Sequence, residues 1–193
     1  MRIYRADEAD VPLLLEIRRE SSDWLATRNT DQWASDFPDE KGMVAGFVAD
    51  ARNGHAWLVD DGGVTVATVT LDATAQSAIW APEEAAAPAR YVHRLTVRRA
   101  AAGQGLGGEL LDWCGNRAYE EGARWLRLDA WTTNRALHDY YKRQGFEHLR
   151  TADRDDYPSG ALFQRPARTA TTPRLEEVGT AVRSGDRVPA SAI

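Results

Sequence analysis

The sequence predicts one domain of the α/β class over residues 1–166, with helices flanking a central sheet, and a disordered tail over residues 167–193. Hydrophobic residues make up 43% of the 193 residues and charged residues 27%, which is the composition of an ordinary globular domain. The hydrophobic pattern switches repeatedly between helix and strand periods, as is typical of this class. The tail contains no aromatic side chain, so it buries too little apolar surface to offset its ordering entropy.

In the N-terminal half, the pattern predicts a short strand, two helices and a hairpin. The first helix follows Asp10, a residue type that caps helices, and has Pro12 in its first turn, where a missing N–H costs little. The second helix ends at Asn53-Gly54, and two alternating strands follow around a glycine-rich turn. The predicted ranges are Ile3–Arg5 for the strand, Glu40–Arg52 for the second helix and His55–Ala73 for the hairpin.

The C-terminal half alternates strands with two further helices, whose ends carry cap signals. Gly122 ends the longer helix, Asn134 is a favourable N-cap for the shorter one, and Gly145 is a favourable residue just after its end. The predicted strands of this half are Tyr91–Val97, Trp125–Trp131, Phe146–Leu149 and Ala161–Gln164.

Charge and composition exclude several classes of function. The formal charge of −5 argues against a polyanion, so we expect no nucleic-acid partner. The single cysteine, Cys114, cannot form an intrachain disulfide, and no histidine has metal-ligand spacing with it, so we expect no metal. The N-terminus lacks the apolar core of a signal peptide, and no run approaches 18 apolar residues. We therefore expect a cytoplasmic protein that does not bind membranes.

A glycine-rich loop follows the strand that ends at Leu95-Thr96-Val97 and opens the next helix. It contains Gly103, Gly105, Gly107 and Gly108. The first N–H groups of that helix lack intrahelical acceptors and carry the positive end of the helix dipole, so they favour a phosphate. One glycine would suffice for a tight connection without a ligand, and four within six residues favour an anion-binding loop.

Dinucleotide binding is a distant alternative for this loop. Gly103, Gly105 and Gly108 satisfy G-x-G-x-x-G, and Asp129 follows about 20 residues later, as in dinucleotide-binding folds. However, five residues separate Val97 from the first glycine, and Asp129 lies inside its strand instead of at the strand tip. Too little chain follows for a doubly wound sheet, and the absence of Lys-Ser/Thr after the glycines excludes a Walker loop.

The loop resembles the pyrophosphate loop of the GNAT superfamily of acyl-CoA-dependent N-acyltransferases. In that family the loop follows a strand ending in Leu-x-Val and usually reads Arg/Gln-Gly-x-Gly-x-Gly/Ala. The matching residues here are Leu95, Val97, Gly103, Gly105 and Gly107. The usual Arg or Gln falls on Ala102, so a side-chain contact to the pyrophosphate would have to come from Arg98, Arg99 or Gln104.

A second signature of the same family lies one strand further on. It consists of an Asn, a Tyr seven residues later and then Gly-Phe, and it is similar to Asn134, Tyr141, Gly145 and Phe146 in this sequence. The close resemblance covers residues 91–149. It implies a GNAT-like fold, in which a mixed, mostly antiparallel central sheet is flanked by helices.

The resemblance also implies acetyl-CoA as the acyl donor. It implies that the backbone of Leu95–Val97 holds the pantetheine arm, that the Val97 N–H binds the thioester oxygen, and that Asn134 fixes the arm from the facing helix. The residues implied to bind the cofactor are Leu95, Val97, Gly103, Gln104, Gly105, Leu106, Gly107, Gly108 and Asn134.

Two residues are the candidates for proton transfer. By resemblance, Tyr141 donates a proton to the sulfur of CoA, although its helical spacing also fits simple core packing. His93 occupies a position where some family members carry a glutamate base, and an imidazole accepts protons at neutral pH; the alternative is a structural histidine. Period two predicts that His93 shares one strand face with Leu95 and Val97. Asp129 either orients His93 or binds a cationic amine.

We expect the N-terminal half to select the substrate. The candidates for aromatic walls of the substrate pocket are Trp24, Trp33 and Trp80. Asp31 and Asp36 are the candidate contacts for an ammonium group. The predicted function is acetyl transfer to a small-molecule or peptidic amine by direct attack in a ternary complex, in a possible homodimer. An acyl-enzyme is not expected, because Cys114 lies on the inward face of its helix. The alternative is a CoA-binding regulatory module without turnover, which Ala102 favours.

Overall fold

An eight-stranded sheet organises the part of the chain that the computed structural model describes, residues 1–28, 30–33 and 39–179. The strands are β1 (Arg2–Arg5), β2 (Ala56–Asp61), β3 (Val64–Asp72), β4 (Ala89–Val97), β5 (Trp125–Ala130), β6 (Glu147–Thr151), β7 (Ala161–Pro166) and β8 (Glu176–Glu177). The helices are α1 (Val11–Ala26), α2 (Glu40–Arg52), α3 (Pro82–Ala85), α4 (Leu106–Glu120) and α5 (Arg135–Arg143). Two short 3-10 turns cover Glu8–Asp10 and Arg99–Ala101.

The strand order in the sheet is β6-β7-β5-β4-β3-β2-β1-β8. Neighbouring strands are antiparallel, except that β4 pairs with β5 and β1 with β8 in parallel. A mixed and mostly antiparallel sheet flanked by helices was predicted, and this prediction is confirmed.

Each face of the sheet buries a separate apolar core. Leu110 and Leu111 of α4 are fully buried on one face, and Leu14, Ile17 and Phe47 of α1 and α2 are buried on the other. Burying a side chain of this size contributes roughly 1.5–3 kcal/mol. The two cores hold α4 on one side and the α1–α2 pair on the other, and the middle strands lie between them.

A β-bulge interrupts β4 in the middle of the sheet. Thr68 of β3 is opposite Thr96, but Thr70 is opposite His93, so β4 carries one extra residue in this stretch. Arg94 has a φ of +50°, a left-handed conformation that non-glycine residues rarely adopt, and bulges bend a strand and re-aim its side chains.

The bulge overturns the period-two prediction for β4. Leu95 and Val97 pack against the same core as Val92, on the α4 face, whereas His93 is paired with Thr70 on the α1–α2 face. The extra residue reverses the alternation of the strand, so His93 does not share a face with Leu95 and Val97.

Beyond Val92 and Leu128, β4 and β5 separate. Their parallel pairing covers only Ala89–Val92 with Trp125–Leu128, although β4 continues to Val97 and β5 to Ala130. We call the gap between these two strand ends the fork. It is an opening in the middle of the sheet, where β4 and β5 each keep their outer neighbour but no longer pair with one another.

The C-terminal segment also differs from the sequence prediction. Residues 167–179 run along α4: Asn116 exchanges two hydrogen bonds with the backbone of Ala170, at 2.9 and 2.6 Å. The Val178 N–H then donates to the Ile3 carbonyl at 2.9 Å. Backbone groups satisfied by Asn116 and by β1 hold this segment, which explains how it is ordered without an aromatic side chain. Residues 180–193 lie outside the described part of the chain.

Candidate functional site

Two adjoining cavities meet at the fork. The larger, about 1050 Å³, reaches from α1 and α2 through the fork to α5. The smaller, about 820 Å³, lies between the glycine loop, α5 and the C-terminal segment. Leu95, Val97, Leu137, Tyr140 and Tyr141 line both. A long ligand can therefore extend from the glycine loop into the fork, with its end facing the second cavity.

The glycine loop has the backbone that an anion site requires at two of its glycines. Gly103 and Gly105 both have a φ of +79°, a conformation that glycine adopts without the steric cost other residues meet. Gly105 is the N-cap of α4, so the first N–H groups of α4 point towards the smaller cavity, which Gly103, Gly105 and Leu106 line.

The other two glycines of the loop bring α4 close to α5. A Cβ added at Gly107 would lie 2.7 Å from Tyr140 Oη, and one at Gly108 would lie 2.6 Å from Gln144 Oε1. Both glycines line the smaller cavity. Any larger residue here would displace the Tyr140 or Gln144 side chain.

Arg174 brings a guanidinium to the loop that the sequence did not indicate. Its Nη1 donates to the Gln104 carbonyl at 3.0 Å, and its backbone N–H donates to Glu109 Oε1 at 2.7 Å. The side chain lines the smaller cavity together with Ala102. The signal was missed because Arg174 lies in the segment expected to be disordered. Of the side chains expected to compensate for Ala102, Arg98 is instead bonded to Glu16 of α1 at 2.6 Å.

The backbone N–H of Val97 points into the fork. The neighbouring Arg98 N–H donates to the Val66 carbonyl of β3 at 2.9 Å. Because successive residues of a strand direct their N–H groups to opposite sides, the Val97 N–H faces away from β3, where β5 has already separated from β4. The Val97 N–H is therefore a fixed donor that faces the opening.

Tyr141 lies where the two cavities join. Its side chain is only 9% exposed, and its ring packs on Phe146 and Phe163, with centroids 5.9 and 5.8 Å away. Burial raises the pKa of Tyr141 above its ordinary value, so the hydroxyl is protonated at neutral pH and is a donor. Tyr140 lines both cavities as well, so the two adjacent hydroxyls are separate candidates for the proton donor.

Asn134 caps α5 and ties a substrate-side loop to it. Its Oδ1 accepts from the Leu137 N–H at 3.0 Å, and its Nδ2 donates to Gln32 Oε1 at 2.6 Å. The residue lines the larger cavity. The predicted cap is confirmed, and the side-chain amide that the resemblance directs at the cofactor arm is bonded to Gln32.

His93 lies between two carboxylates at the base of the fork. Its Nε2 is 3.7 Å from Asp72 Oδ2, and its Nδ1 is 3.8 Å from Asp129 Oδ1. Burial disfavours the imidazolium, but the nearby carboxylates of Asp72 and Asp129 stabilise it, outweigh the burial and raise the pKa of His93. Burial also raises the pKa of Asp129. The arrangement attracts cations and provides an acceptor for a proton.

One carboxylate oxygen of this cluster has an unused hydrogen-bonding capacity. Asp129 Oδ2 accepts from the Tyr157 hydroxyl at 3.3 Å, whereas Oδ1 is buried and has no hydrogen-bond partner among the described residues. A buried, unsatisfied carboxylate oxygen is costly. Since Asp129 lines the larger cavity, a donor on a bound ligand would satisfy it.

The three tryptophans that were predicted to line the substrate pocket lie in two different places. Trp24 and Trp33 line the larger cavity. Trp80, in contrast, is 3% exposed and packs edge-to-face on Tyr91, with ring centroids 5.4 Å apart, so it belongs to a small core and the prediction that it forms a wall is wrong. Tyr91 forms that contact because it lies on the part of β4 that is still paired with β5.

Of the two candidate ammonium contacts in the N-terminal half, Asp31 is bonded within the fold. Asp31 accepts a hydrogen bond from Trp131 Nε1 at 3.0 Å and another from the Thr133 hydroxyl. The Thr133 bond lowers the pKa of Asp31, and the carboxylate thereby anchors the 30–33 loop to the end of β5. Asp36 lies outside the described residues.

The described residues contain no group of three or more His, Cys, Asp or Glu side chains that could hold a metal ion. No helix in the same part of the chain has the length and apolarity needed to cross a membrane. Cys114 is fully buried, and burial raises the pKa of its thiol, so it is not an accessible nucleophile.

Sequence comparison relates this chain to acetyltransferases. The model of the family described as "Acetyltransferase (GNAT) family" matches residues 17–146. The curated "Uncharacterized N-acetyltransferase YesJ" of Bacillus subtilis (strain 168) is 27% identical over 150 residues, which cover 76% of this chain and 79% of that protein.

Solved structures have the same fold. A GNAT-family acetyltransferase from Listeria monocytogenes 4b F2365 matches with a TM-score of 0.69 at 20% identity, covering 85% of this chain and 93% of that one. The PaiA N-acetyltransferase from Thermoplasma acidophilum, crystallised with coenzyme A, matches with a TM-score of 0.64 at 16% identity, covering 85% and 97%.

Proposed function

Because the chain belongs to the GNAT family of acetyltransferases and is an acetyl-CoA-dependent N-acyltransferase, we propose that it transfers acetyl directly to the amine of a small-molecule or peptidic acceptor in a ternary complex. The observation that carries this proposal is the junction of the two cavities at the fork. Donor and acceptor can enter from opposite sides and meet beside Val97, His93 and Tyr141.

The described residues fit the donor. Gly103 and Gly105 leave room for a pyrophosphate against the first N–H groups of α4, and the Arg174 guanidinium, which is ion-paired with Glu109, brings further N–H donors to the same place. When bound, acetyl-CoA supplies a thioester whose carbonyl would lie in the fork. The Val97 N–H donates to that oxygen, and a fixed donor for a developing oxyanion is typically worth about 3 kcal/mol.

Two side chains move the protons. Solvent takes one proton from the incoming ammonium group, and the neutral amine then attacks; His93 accepts the second proton as the nitrogen bonds to the acyl carbon, directly or through a water molecule. As the carbon–sulfur bond breaks, the Tyr141 hydroxyl gives its proton to the sulfur, and proton exchange with solvent restores both residues. Asp72 and Asp129 attract the cationic amine and stabilise the imidazolium.

Calorimetry with acetyl-CoA, combined with thiol release over a panel of amines, tests this function. We expect saturable acetyl-CoA binding and release of CoA that depends on both the amine and the enzyme. Binding without release on any amine would instead support the regulatory module that Ala102 favours.

The pH dependence of the rate tests His93. The neutral imidazole is the active form, so kcat/KM falls as the pH falls through the raised pKa of His93, which puts the acidic limb above the ordinary value of about 6.5. We expect His93→Gln to remove this limb, whereas His148→Gln, outside both cavities, leaves it in place.

A purely structural His93 gives a different result. Because its folded-state pKa is raised, its protonation stabilises the fold below the ordinary pKa, and this stabilisation is lost as the pH rises through the raised value. If His93→Gln changes only the pH dependence of the melting temperature and keeps the acidic limb of kcat/KM, the proposed base is wrong.

Removing the C-terminal segment is expected to weaken both the fold and acetyl-CoA binding. Truncation after Pro166 eliminates the Asn116–Ala170 hydrogen bonds, the pairing of β8 with β1 and the Arg174 contacts. We expect a loss of about 1–3 kcal/mol in the free energy of unfolding and a measurable rise in the Kd for acetyl-CoA.

Two matched variants separate these effects. Truncation after Gly179 keeps every one of these contacts, so stability and acetyl-CoA affinity should stay close to those of the full chain. Arg174→Ala should raise the Kd for acetyl-CoA with a smaller loss of stability. An unchanged Kd in Arg174→Ala would exclude Arg174 from the cofactor site.

A further inference from the structure

The charged side chains that line the larger cavity are mostly neutralised by one another. Arg94 donates to Asp50 of α2 and lies over the Phe47 ring. Asp72 and Asp129 flank His93 on either side. These contacts account for all three carboxylates among the described residues that line the cavity.

Arg18 of α1 is the half-buried exception. It lines the same cavity and is half-buried, yet no carboxylate in the described ranges lies within ion-pair distance of it. Burial, together with the nearby charge of Arg94, lowers its pKa to about 10, so the guanidinium still carries a full charge at pH 7. A partly buried charge without a counter-ion is unfavourable.

The surroundings of Arg18 hold its guanidinium in a fixed plane. Its Cζ lies 3.5 Å from the ring centroid of Trp33, the distance of direct stacking, and Trp33 itself has a φ of +65°, a strained conformation for a large side chain. Stacking covers the face of a guanidinium and leaves its N–H edge free for an acceptor in the same plane.

Other arginines nearby do not share these properties. Arg19, the next residue of α1, is exposed and pairs with Glu40 at 3.3 Å. Arg28 and Arg99 also line the cavity, but both are exposed and lie against Trp24 at its rim, where water solvates them. Arg18 is therefore the cation whose position calls for an anionic ligand inside the cavity.

We propose that the acceptor is a small amine that also carries a carboxylate, and that Arg18 binds this carboxylate while the amine lies at the His93–Asp72–Asp129 cluster. The proposal rests on the function proposed above and narrows its substrate class. The charges in the cavity match those of such an acceptor, because the cluster attracts an ammonium group and Arg18 attracts an anion. One guanidinium edge fits a planar carboxylate by two parallel hydrogen bonds, and its single positive charge matches the single negative charge of a carboxylate.

Matched pairs of acceptors test the proposal: free amino acids and the corresponding amino-acid amides, each assayed for thiol release with saturating acetyl-CoA. The wild-type enzyme should have the higher kcat/KM for the carboxylate of each pair. We expect Arg18→Met to raise the KM of the carboxylates by roughly 10- to 100-fold and to leave the KM of the amides nearly unchanged. The ratio of kcat/KM for the acid to kcat/KM for the amide is compared between the wild type and Arg18→Met. This comparison cancels the intrinsic difference in amine basicity between the two acceptors.

Arg19→Met is the control, since it removes an exposed arginine from the same helix turn and should keep the preference for carboxylates. Arg18→Lys keeps the charge without the planar edge, so it should retain part of the preference. Circular dichroism and melting curves show whether Arg18→Met folds. If it does not fold, the preference for acids over amides is measured in Arg18→Lys instead.

Each other outcome overturns the proposal. An equal loss for acids and amides in Arg18→Met, or a wild-type preference for amides, contradicts the role of Arg18 while the acetyltransferase function stands. Thiol release on other amines of the panel but on no member of either series rejects the substrate assignment alone, whereas acetyl-CoA binding without thiol release on any amine rejects the proposed function, and the substrate assignment fails with it.

Discussion

Tyr141→Phe is expected to lower kcat by about 10²–10⁴-fold, the usual scale for the loss of a general acid. The substitution keeps the ring that packs on Phe146 and Phe163 and removes only the hydroxyl at the junction of the cavities. Because the leaving thiolate is protonated only as the carbon–sulfur bond breaks, the Kd for acetyl-CoA should change little. Pre-steady-state thiol release and calorimetry measure the two quantities separately.

Tyr140→Phe is the matched comparison for this experiment, since Tyr140 is adjacent, lines both cavities and is also partly buried. We expect it to retain most of the rate. If the large loss of kcat occurs in Tyr140→Phe and not in Tyr141→Phe, the roles of the two tyrosines are reversed. If neither variant loses rate on a good acceptor, solvent protonates the thiolate.

Gly105→Glu is expected to raise the Kd for acetyl-CoA by more than about 100-fold. A side chain at the N-cap of α4 would occupy the space beside the first helical N–H groups, and its carboxylate would repel the pyrophosphate. The φ of +79° adds backbone strain for a non-glycine residue. Calorimetry with acetyl-CoA and a melting curve of the same sample measure affinity and folding together.

Gly62→Glu provides the control for strain and charge. Gly62 lies in the turn between β2 and β3 with a φ of +65°, and nothing lies within 4 Å of an added Cβ. It should lose some stability but bind acetyl-CoA normally. A folded Gly105→Glu protein with normal affinity would show that the loop is not the phosphate site, and saturable NADH binding by the wild type would revive the dinucleotide interpretation.

Much of the fold could be predicted because local signals and tertiary structure agree. Asn134 caps α5 through its side chain, and Gly145 follows that helix with a φ of +81°, as the cap rules require. The second helix covers the predicted range, Glu40–Arg52. The glycine loop follows a strand and opens a helix, so its place in the fold was also correctly predicted.

The failures have identifiable physical causes. The bulge at Arg94 has no sequence signal, because arginine is not a residue type associated with a positive φ. The predicted alternation of β4 was therefore wrong beyond this point, and Leu95 and Val97 were assigned to the same sheet face as His93. The C-terminal segment is held by backbone hydrogen bonds to Asn116 and Ile3, which leave no hydrophobic pattern. Arg18 was not singled out, since only the three-dimensional structure shows that no carboxylate of the described ranges pairs with it.

The parallel pairing of β8 with β1 has a consequence for self-association. A free edge strand offers a row of unpaired N–H and C=O groups to another molecule, and Glu176–Glu177 cover this row at Arg2 and Ile3. At the opposite edge of the described sheet, β6 is five residues long and has an irregular register with β7 between His148 and Arg150. Both edges are thus poor templates for strand addition, so a homodimer of this protein would be built through its helices and loops and not through a continuous intermolecular sheet.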